Sequence, residues 1–326
     1  FEVSEHGRVY AIRLREDVVW SDGQPVIAQH YVDSVFRQLE MEGDRWALYD
    51  IEGAEAYNTG KTTDPASLGI RAVDDYTLEI RLVEPAPYFE TVLPSYLFYP
   101  VRLDVIEAHG ARWTEPGNYV CNGAYLLRDW VRGDRVVFVK NPDYWNAEQV
   151  TIARITFSQD ADALASYEND ELHAISGGGI LYRAQDYVMA DPVLSQEIQV
   201  TSGSSLLYLG LNTLRPPTDD VRVRKALALA IDHQSIYDEL LMFKDWEPPA
   251  CTIPPLVMGH QPRGTCGYRY DPEQAQALLA DAGYPDGDGF PTLHVWINWG
   301  SWLEGAVEMT AAMWEESLGI KTEVHA

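Results

Sequence analysis

The 326-residue sequence predicts a mixed α/β fold, and three observations carry that expectation. Segments of period two and segments of period 3.6 alternate through the second half of the chain, the pattern of strands laid against helices. Hydrophobic residues make up 46% of the chain and charged residues 23%, an ordinary balance for a packed globular protein. The length is sufficient for two or more domains.

The elements follow in order. Val9 to Leu14 alternates apolar and polar residues and reads as a half-buried strand. Ser21-Asp-Gly23 is a turn. Val26, Tyr31, Val32, Val35, Phe36 and Leu39 fall at helical spacing. Ala72 to Leu82 holds two short strands about Val73-Asp-Asp-Tyr76. Thr91 to Pro100 is aromatic and carries two prolines, so it reads as a packed connection rather than a long helix. Gly123 to Val139 forms a second hairpin through Arg132-Gly-Asp134. Ile152 to Phe157 is a strand, and Asp160 to Asn169 a helix with acidic residues at its start. Ile175 to Ile180 is a flexible glycine run.

The stretch 199–232 is the most telling. Leu206 to Leu211 is a nearly continuous apolar run, as in a strand buried on both faces. Pro216 and Pro217 end it. Thr218, Asp219 or Asp220 can cap the helix that follows. Val223, Ala226, Leu227, Ala230 and Ile231 then mark one buried helical face. Further on, Pro272 to Ala282 is a helix stopped by Gly283, Leu293 to Ile297 a strand, and Trp302 to Leu318 a helix stopped by Gly319.

The net charge is −26, with 50 acidic against 24 basic residues. That excludes a phosphate-binding surface, and with it nucleic acid, and disfavours an anionic lipid surface. A solvated acidic exterior accounts for it. No run of eighteen apolar residues occurs, so no membrane-spanning helix is expected.

No catalytic set emerges. Ser176-Gly-Gly-Gly179 lacks the G-x-S-x-G context of a nucleophile elbow and reads as a loop. Asp286-Gly-Asp-Gly289 fails as a calcium loop, since Phe290 stands at the third ligand position and no glutamate follows at the twelfth, so it reads as a turn. The eight histidines show no H-x-x-x-H and the three cysteines no C-x-x-C, so no metal site and no cofactor are expected. Asp74-Asp75 and Asp219-Asp220 read as capping residues. Cys121 reads as a small buried residue. Cys251 and Cys266 bracket fourteen proline- and glycine-rich residues. A disulfide between them would stabilise that loop by about 3 kcal/mol. Two unpaired thiols are the alternative.

Several stretches together resemble one family. The segment Asn212 to Asp232 resembles the lobe-to-lobe crossing of extracytoplasmic solute receptors that serve peptide ABC importers. Tyr10 to Val26 resembles that family's opening strand and turn, and Gly69 to Leu82 the hairpin after it. Glu84-Pro-Ala-Pro-Tyr-Phe89, Asn122-Gly-Ala-Tyr125, Asn141-Pro-Asp-Tyr-Trp-Asn146 and Tyr270 to Tyr284 follow in the family's order. The run from Pro87 through Trp130 is most similar to the oligopeptide-binding branch.

The resemblance implies a periplasmic-binding-protein-like two-lobed fold of type II with an extra small subdomain. By it, residues 1–100 form the small subdomain, 101–204 part of lobe one and 205–326 part of lobe two. Members of the family are longer, so both ends of the full protein, including any signal or lipid-anchor cysteine, are expected outside this sequence. The resemblance further implies a periplasmic or extracytoplasmic monomer without catalytic activity. Its partners would be a peptide ligand and the membrane permease of an ABC importer. A dipeptide, nickel-chelate or sugar receptor is the alternative within the family, and a hydrolase the alternative outside it.

Residue by residue, Trp46 lies where the small subdomain would offer an aromatic ring to the ligand; a packed tryptophan beside Tyr49 is the other reading. Ser205 and Tyr208 lie on the crossing segment at the cleft, with a core tyrosine as the alternative for Tyr208. Gly177 and Gly178 stand where the oligopeptide branch carries polar side chains, which leaves backbone contact alone. An acidic anchor for a peptide's amino group would lie beyond Ala326.

Overall fold

The computed structural model describes residues 1–41, 43, 45–160, 162–176, 184–199, 208–240, 267–297 and 301–325. The chain divides into two compact units, Phe1–Ala161 and Asp162–Ala326.

In the first unit a four-stranded antiparallel sheet runs in the order β1 (Glu2–Ser4), β2 (Val9–Arg13), β4 (Thr77–Arg81), β3 (Ile70–Asp74). β4 shows why it forms. Leu78 and Ile80 are buried while Thr77, Glu79 and Arg81 alternate with them, so register and facing are fixed together. The β3–β4 turn is closed by the Asp74 carboxylate, which accepts from the Tyr76 N–H at 2.9 Å. Helix α1 (Ala28–Glu40) covers the sheet with Val32, Val35 and Leu39, the short helices α2 (Ala54–Asn58), α3 (Phe89–Val92) and α4 (Leu103–His109) follow, and Phe89 fills the core between Tyr10 and Phe98.

α1 starts two residues later than the hydrophobic spacing suggests. The imidazole of His30 sets that start: its Nδ1 accepts from the Ile27 N–H and from the Trp20 indole, both at 3.2 Å. Two donors on one nitrogen require that Nδ1 carry no proton, so the ring is the neutral Nε2–H tautomer. Burial, aided by the nearby Arg102 cation, holds the His30 pKa below the usual imidazole value.

A second, three-stranded antiparallel sheet joins β5 (Tyr125–Val131), β6 (Arg135–Lys140) and β7 (Arg154–Ser158). The buried Asn141 ties the start of β5 to the end of β6. Its amide donates to the Gly123 carbonyl at 2.9 Å, its side-chain oxygen accepts from the Asp143 N–H, and its backbone N–H donates to Ala124. The two motifs around Asn122 and Asn141 are therefore one joint. Ser21 and Cys121 form another: the Ser21 N–H donates to the Cys121 carbonyl, and the Ser21 hydroxyl accepts from the Cys121 N–H. Cys121 is half-buried, and that burial raises its thiol pKa.

In the second unit, α5 (Ala163–Glu168) is capped by Asp162. Helices α6 (Val221–Leu229), α7 (Pro272–Asp281) and α8 (Ser301–Leu318) enclose a core of Val223, Leu227, Leu279, Trp314 and Leu318. Of the three capping candidates, Asp220 is the N-cap of α6, accepting from the Arg222 N–H. Hydrogen bonds from the Arg222 side chain and backbone lower its pKa to about 2. Asp271 caps α7 in the same way. Strands β8 (Leu293–Trp296) and β9 (Thr322–His325) pair in parallel, with Leu293 and Val295 packed on the helical core. α8 supplies the crossover that a parallel pair requires.

The Asp286 turn explains its glycines. A Cβ on Gly287 would lie 2.6 Å from the Gly319 carbonyl oxygen, and a Cβ on Gly319 would lie 2.3 Å from that of Asp286. Gly319 also sits at φ +67, in the left-handed region.

One expectation fails. The described end of the apolar run forms no ladder and is partly buried only at its last residue: Tyr208–Leu211 pair with no strand among the described residues, Tyr208 is 76% exposed and Leu209 is exposed too, while Leu211 packs against the helical core. A continuous apolar run calls for sheet neighbours on both sides, and the described residues supply none. Asn212 begins a turn, accepting from the Leu214 N–H and, through its carbonyl, from the buried Thr218 hydroxyl. No helix of the described residues is long and apolar enough to cross a membrane.

Candidate functional site

Trp46 opens a single 3-10 turn, Trp46–Leu48. Leu48 and Ile51 anchor that turn in the core. Tyr49 donates its hydroxyl to Asn58 at 2.7 Å, Asn58 donates to the Leu39 carbonyl at 2.8 Å, and Arg45 donates to the Gln38 carbonyl. The base is fixed, yet the indole is 73% exposed. It is therefore not packed beside Tyr49. A rigid turn presenting an open indole face can take up apolar or planar groups at little entropic cost.

Tyr208 projects from the unladdered segment of the second unit. Trp46 and Tyr208 belong to separate units. Gly177, Gly178, Ser205, Cys251 and Cys266 lie outside the described residues, as does the 199–207 part of the crossing segment except Gln199.

Among the described residues, a cavity is found in each unit. In the first, a space of ≈ 160 Å³ lies between α1 and the segment 96–120, lined by Ser34, Gln38, Tyr96, Tyr99, Trp113 and Tyr119 among others. The 91–100 connection is only partly packed: Leu97 and Phe98 turn inward, whereas Tyr96 and Tyr99 are exposed. Their spacing of three around one short 3-10 turn is the signal that sequence reasoning could have used. In the second unit a space of ≈ 570 Å³ is lined by Tyr167, Glu168, Asp170, His173, Asp191 and Glu197 among others. Hydrogen bonding to Glu197 raises the Tyr167 pKa, and hydrogen bonding to Glu168 raises that of Tyr187. Four carboxylates in that lining make it a place for cationic rather than anionic groups. Neither cavity is lined by Trp46 or Tyr208.

The model of the bacterial extracellular solute-binding proteins, family 5, matches residues 1–326. The periplasmic oligopeptide-binding protein OppA of Escherichia coli is 32% identical over 336 aligned residues, covering 98% of this chain and 60% of that protein. The solved oligopeptide-binding protein OppAIV of Borrelia burgdorferi superposes with a TM-score of 0.78 at 32% identity, covering 99% of this chain and 64% of that one. Haemophilus influenzae OppA, solved in complex with RPPGFSPFR, superposes with a TM-score of 0.79 at 26% identity, covering 99% of this chain and 65% of that one. The chain thus spans about three fifths of the length of the relatives it matches. It belongs to the bacterial extracellular solute-binding proteins, family 5.

Proposed function

We propose that this chain is part of the substrate-binding receptor of an ABC importer, one that captures oligopeptides between two lobes and delivers them to a membrane permease. The observation that carries the reading is the 32% identity to a periplasmic oligopeptide-binding protein across 98% of the chain. The RPPGFSPFR complex of the Haemophilus influenzae relative supports the ligand class. The receptor acts outside the cytoplasm, as a monomer, and catalyses nothing. Residues 1–100 serve as its small subdomain, 101–204 as part of lobe one and 205–326 as part of lobe two.

The chemistry of capture follows from what a peptide offers. Its main chain carries the same donors and acceptors whatever its sequence, so main-chain hydrogen bonding reads peptide shape and ignores side chains. Backbone groups of the crossing segment, which includes Ser205 and Tyr208, meet that need, with Gly177 and Gly178 adding contacts free of side chains. Trp46 stacks on a ligand side chain, and bridging waters tolerate the rest.

Mass spectrometry of ligand co-purified with the full-length receptor tests the reading. A ladder of mixed-sequence peptides is the expected result. A metal chelate, a sugar or dipeptides alone would overturn it in favour of another receptor of the family. Turnover of a chromogenic ester or amide would overturn the non-catalytic part.

A further inference from the structure

We propose that His294, Glu323 and His325 form a divalent-cation site that clips β8 to β9. The three residues project from one face of the parallel pair. His294 stands directly opposite Glu323, and Trp296 opposite His325. Because side chains alternate across a strand, burial of Leu293 and Val295 on the helical core forces His294 and Trp296 to the other face. The ligand face is thus set by the packing of the opposite face.

Two of the three separations, both from His294, suit a metal. His294 Nδ1 lies 3.0 Å from His325 Nε2 and 3.4 Å from Glu323 Oε2, and the ligand atoms of all three residues lie within 4.8 Å of one another. A cation bonded at about 2.0–2.1 Å to each of two ligands in tetrahedral or octahedral geometry places those ligands about 3.0–3.4 Å apart.

A hydrogen bond between the two imidazoles explains only part of this. If His294 Nδ1 is bare, it accepts from His325 and then turns a lone pair toward the Glu323 carboxylate. If it carries a proton, that proton satisfies one neighbour and not both. A cation at the shared point satisfies all three lone pairs. The second carboxylate oxygen of Glu323 faces Lys321 Nζ at 3.8 Å, which leaves Oε2 directed at the histidines. Trp296 stacks on His325 with ring centroids 4.5 Å apart and so limits the rotation of that imidazole.

Two imidazoles and one carboxylate select Zn²⁺, Ni²⁺ or Cu²⁺ over Mg²⁺ or Ca²⁺, which prefer oxygen ligands alone. The residues leave positions open to water. Bound metal would add a side-chain clip to two strands already paired through their backbones, and an isolated two-stranded sheet gains from such a clip.

The test uses the untagged chain, stripped with chelator and titrated with ZnCl₂ by calorimetry. The expected result is one equivalent bound and a higher melting temperature. Loss of a direct ligand costs at least what loss of an outer-shell partner does, so His294→Ala and His325→Ala each weaken binding by about tenfold or more. The double variant abolishes the melting shift. Circular dichroism of the metal-free variants establishes that they fold. As a separate readout, Cu²⁺ quenches tryptophan emission in the parent, and Trp296→Phe removes most of that quenching while Zn²⁺ still binds. No Zn²⁺ binding by the parent, or equal binding by the double variant, would overturn the site.

Discussion

The two units fix distant stretches of chain with the same two devices, used in different places. In Phe1–Ala161 polar side chains pin loops to strands: Asn141 joins the 122–125 and 141–146 stretches, His30 holds the start of α1, and Asn58 steadies the Trp46 turn. In Asp162–Ala326 the pins run between helices, with Trp314 donating to the Leu227 carbonyl, Gln276 to that of Ser317 and Arg222 to that of Asp281, and the backbone closes tightly on itself at Gly287 and Gly319. The first unit has close backbone approaches too: a Cβ on Gly53 would lie 2.1 Å from the Ser67 carbonyl oxygen, and one on Gly69 2.5 Å from that of Arg81. A side-chain pin can be exchanged for another acceptor or switched by a proton. A glycine joint accepts no side chain at all. The motifs that identify the family therefore include many residues that hold the scaffold.

The largest expected effect separates apolar packing from these joints. Phe89 is fully buried between Tyr10 and Phe98. Phe89→Ala removes its contacts and leaves a cavity, costing about 3–5 kcal/mol in denaturant unfolding. Gly319→Ala comes next, because left-handed strain and a blocked contact add, each about 1–3 kcal/mol. Gly283 is its control: it has φ +102, but nothing lies within 4 Å of its would-be Cβ. Gly283→Ala should therefore show strain alone, and equal losses at the two glycines would break the idea of a close-approach joint. Trp314→Phe keeps much of the ring and orphans the buried Leu227 carbonyl, costing about 1–3 kcal/mol.

The pins of the first unit predict a pH response. The His30 imidazole takes its proton near pH 6.5 in the unfolded chain and resists it in the fold. Above that value both states are neutral and the full stability is present. As pH falls below it the unfolded state binds the proton first, so stability drops until the folded pKa is reached. His30→Asn offers an acceptor near the place of Nδ1 and cannot titrate. Its urea midpoint should change less than the parent's between about one unit above and about one unit below pH 6.5. An identical change in both proteins would assign the response elsewhere.

Much of the fold is legible in the sequence because its order is local. Alternation places β2, the β3–β4 hairpin and the β5–β6 hairpin, and glycine stops place the ends of α7 and α8. β1 escapes, since Glu2–Ser4 are all exposed and carry no period. The apolar run ending at Leu211 misleads, because composition reports a capacity for burial and not the presence of neighbours. The His294, Glu323 and His325 cluster escapes for another reason. Its members lie on two strands either side of a long crossover, and only the parallel register brings them together. For the candidate ligand contacts, the sequence distinguishes poorly between a tryptophan that packs and one that projects. The exposure of Trp46 depends on Asn58 and Leu39, which hold its turn from elsewhere in the chain.

The smallest effect on stability should come from Trp46 itself. Its indole is 73% exposed, and its turn is held by Leu48, Tyr49 and Ile51 rather than by the ring. Trp46→Ala should therefore shift unfolding by no more than about 0.5 kcal/mol. If the indole stacks on ligand, the same change costs more than about 1 kcal/mol in binding, roughly a fivefold rise in Kd or more for a defined peptide measured on the full-length receptor. Tyr208→Ala, made in the second unit, gives the matched measurement. A loss of affinity at both positions with stability unchanged would assign them to ligand contact from their separate units. A loss at neither would leave Trp46 an exposed ring with no part in binding, and would move the search in the first unit to Tyr96, Tyr99 and Trp113, which line its cavity.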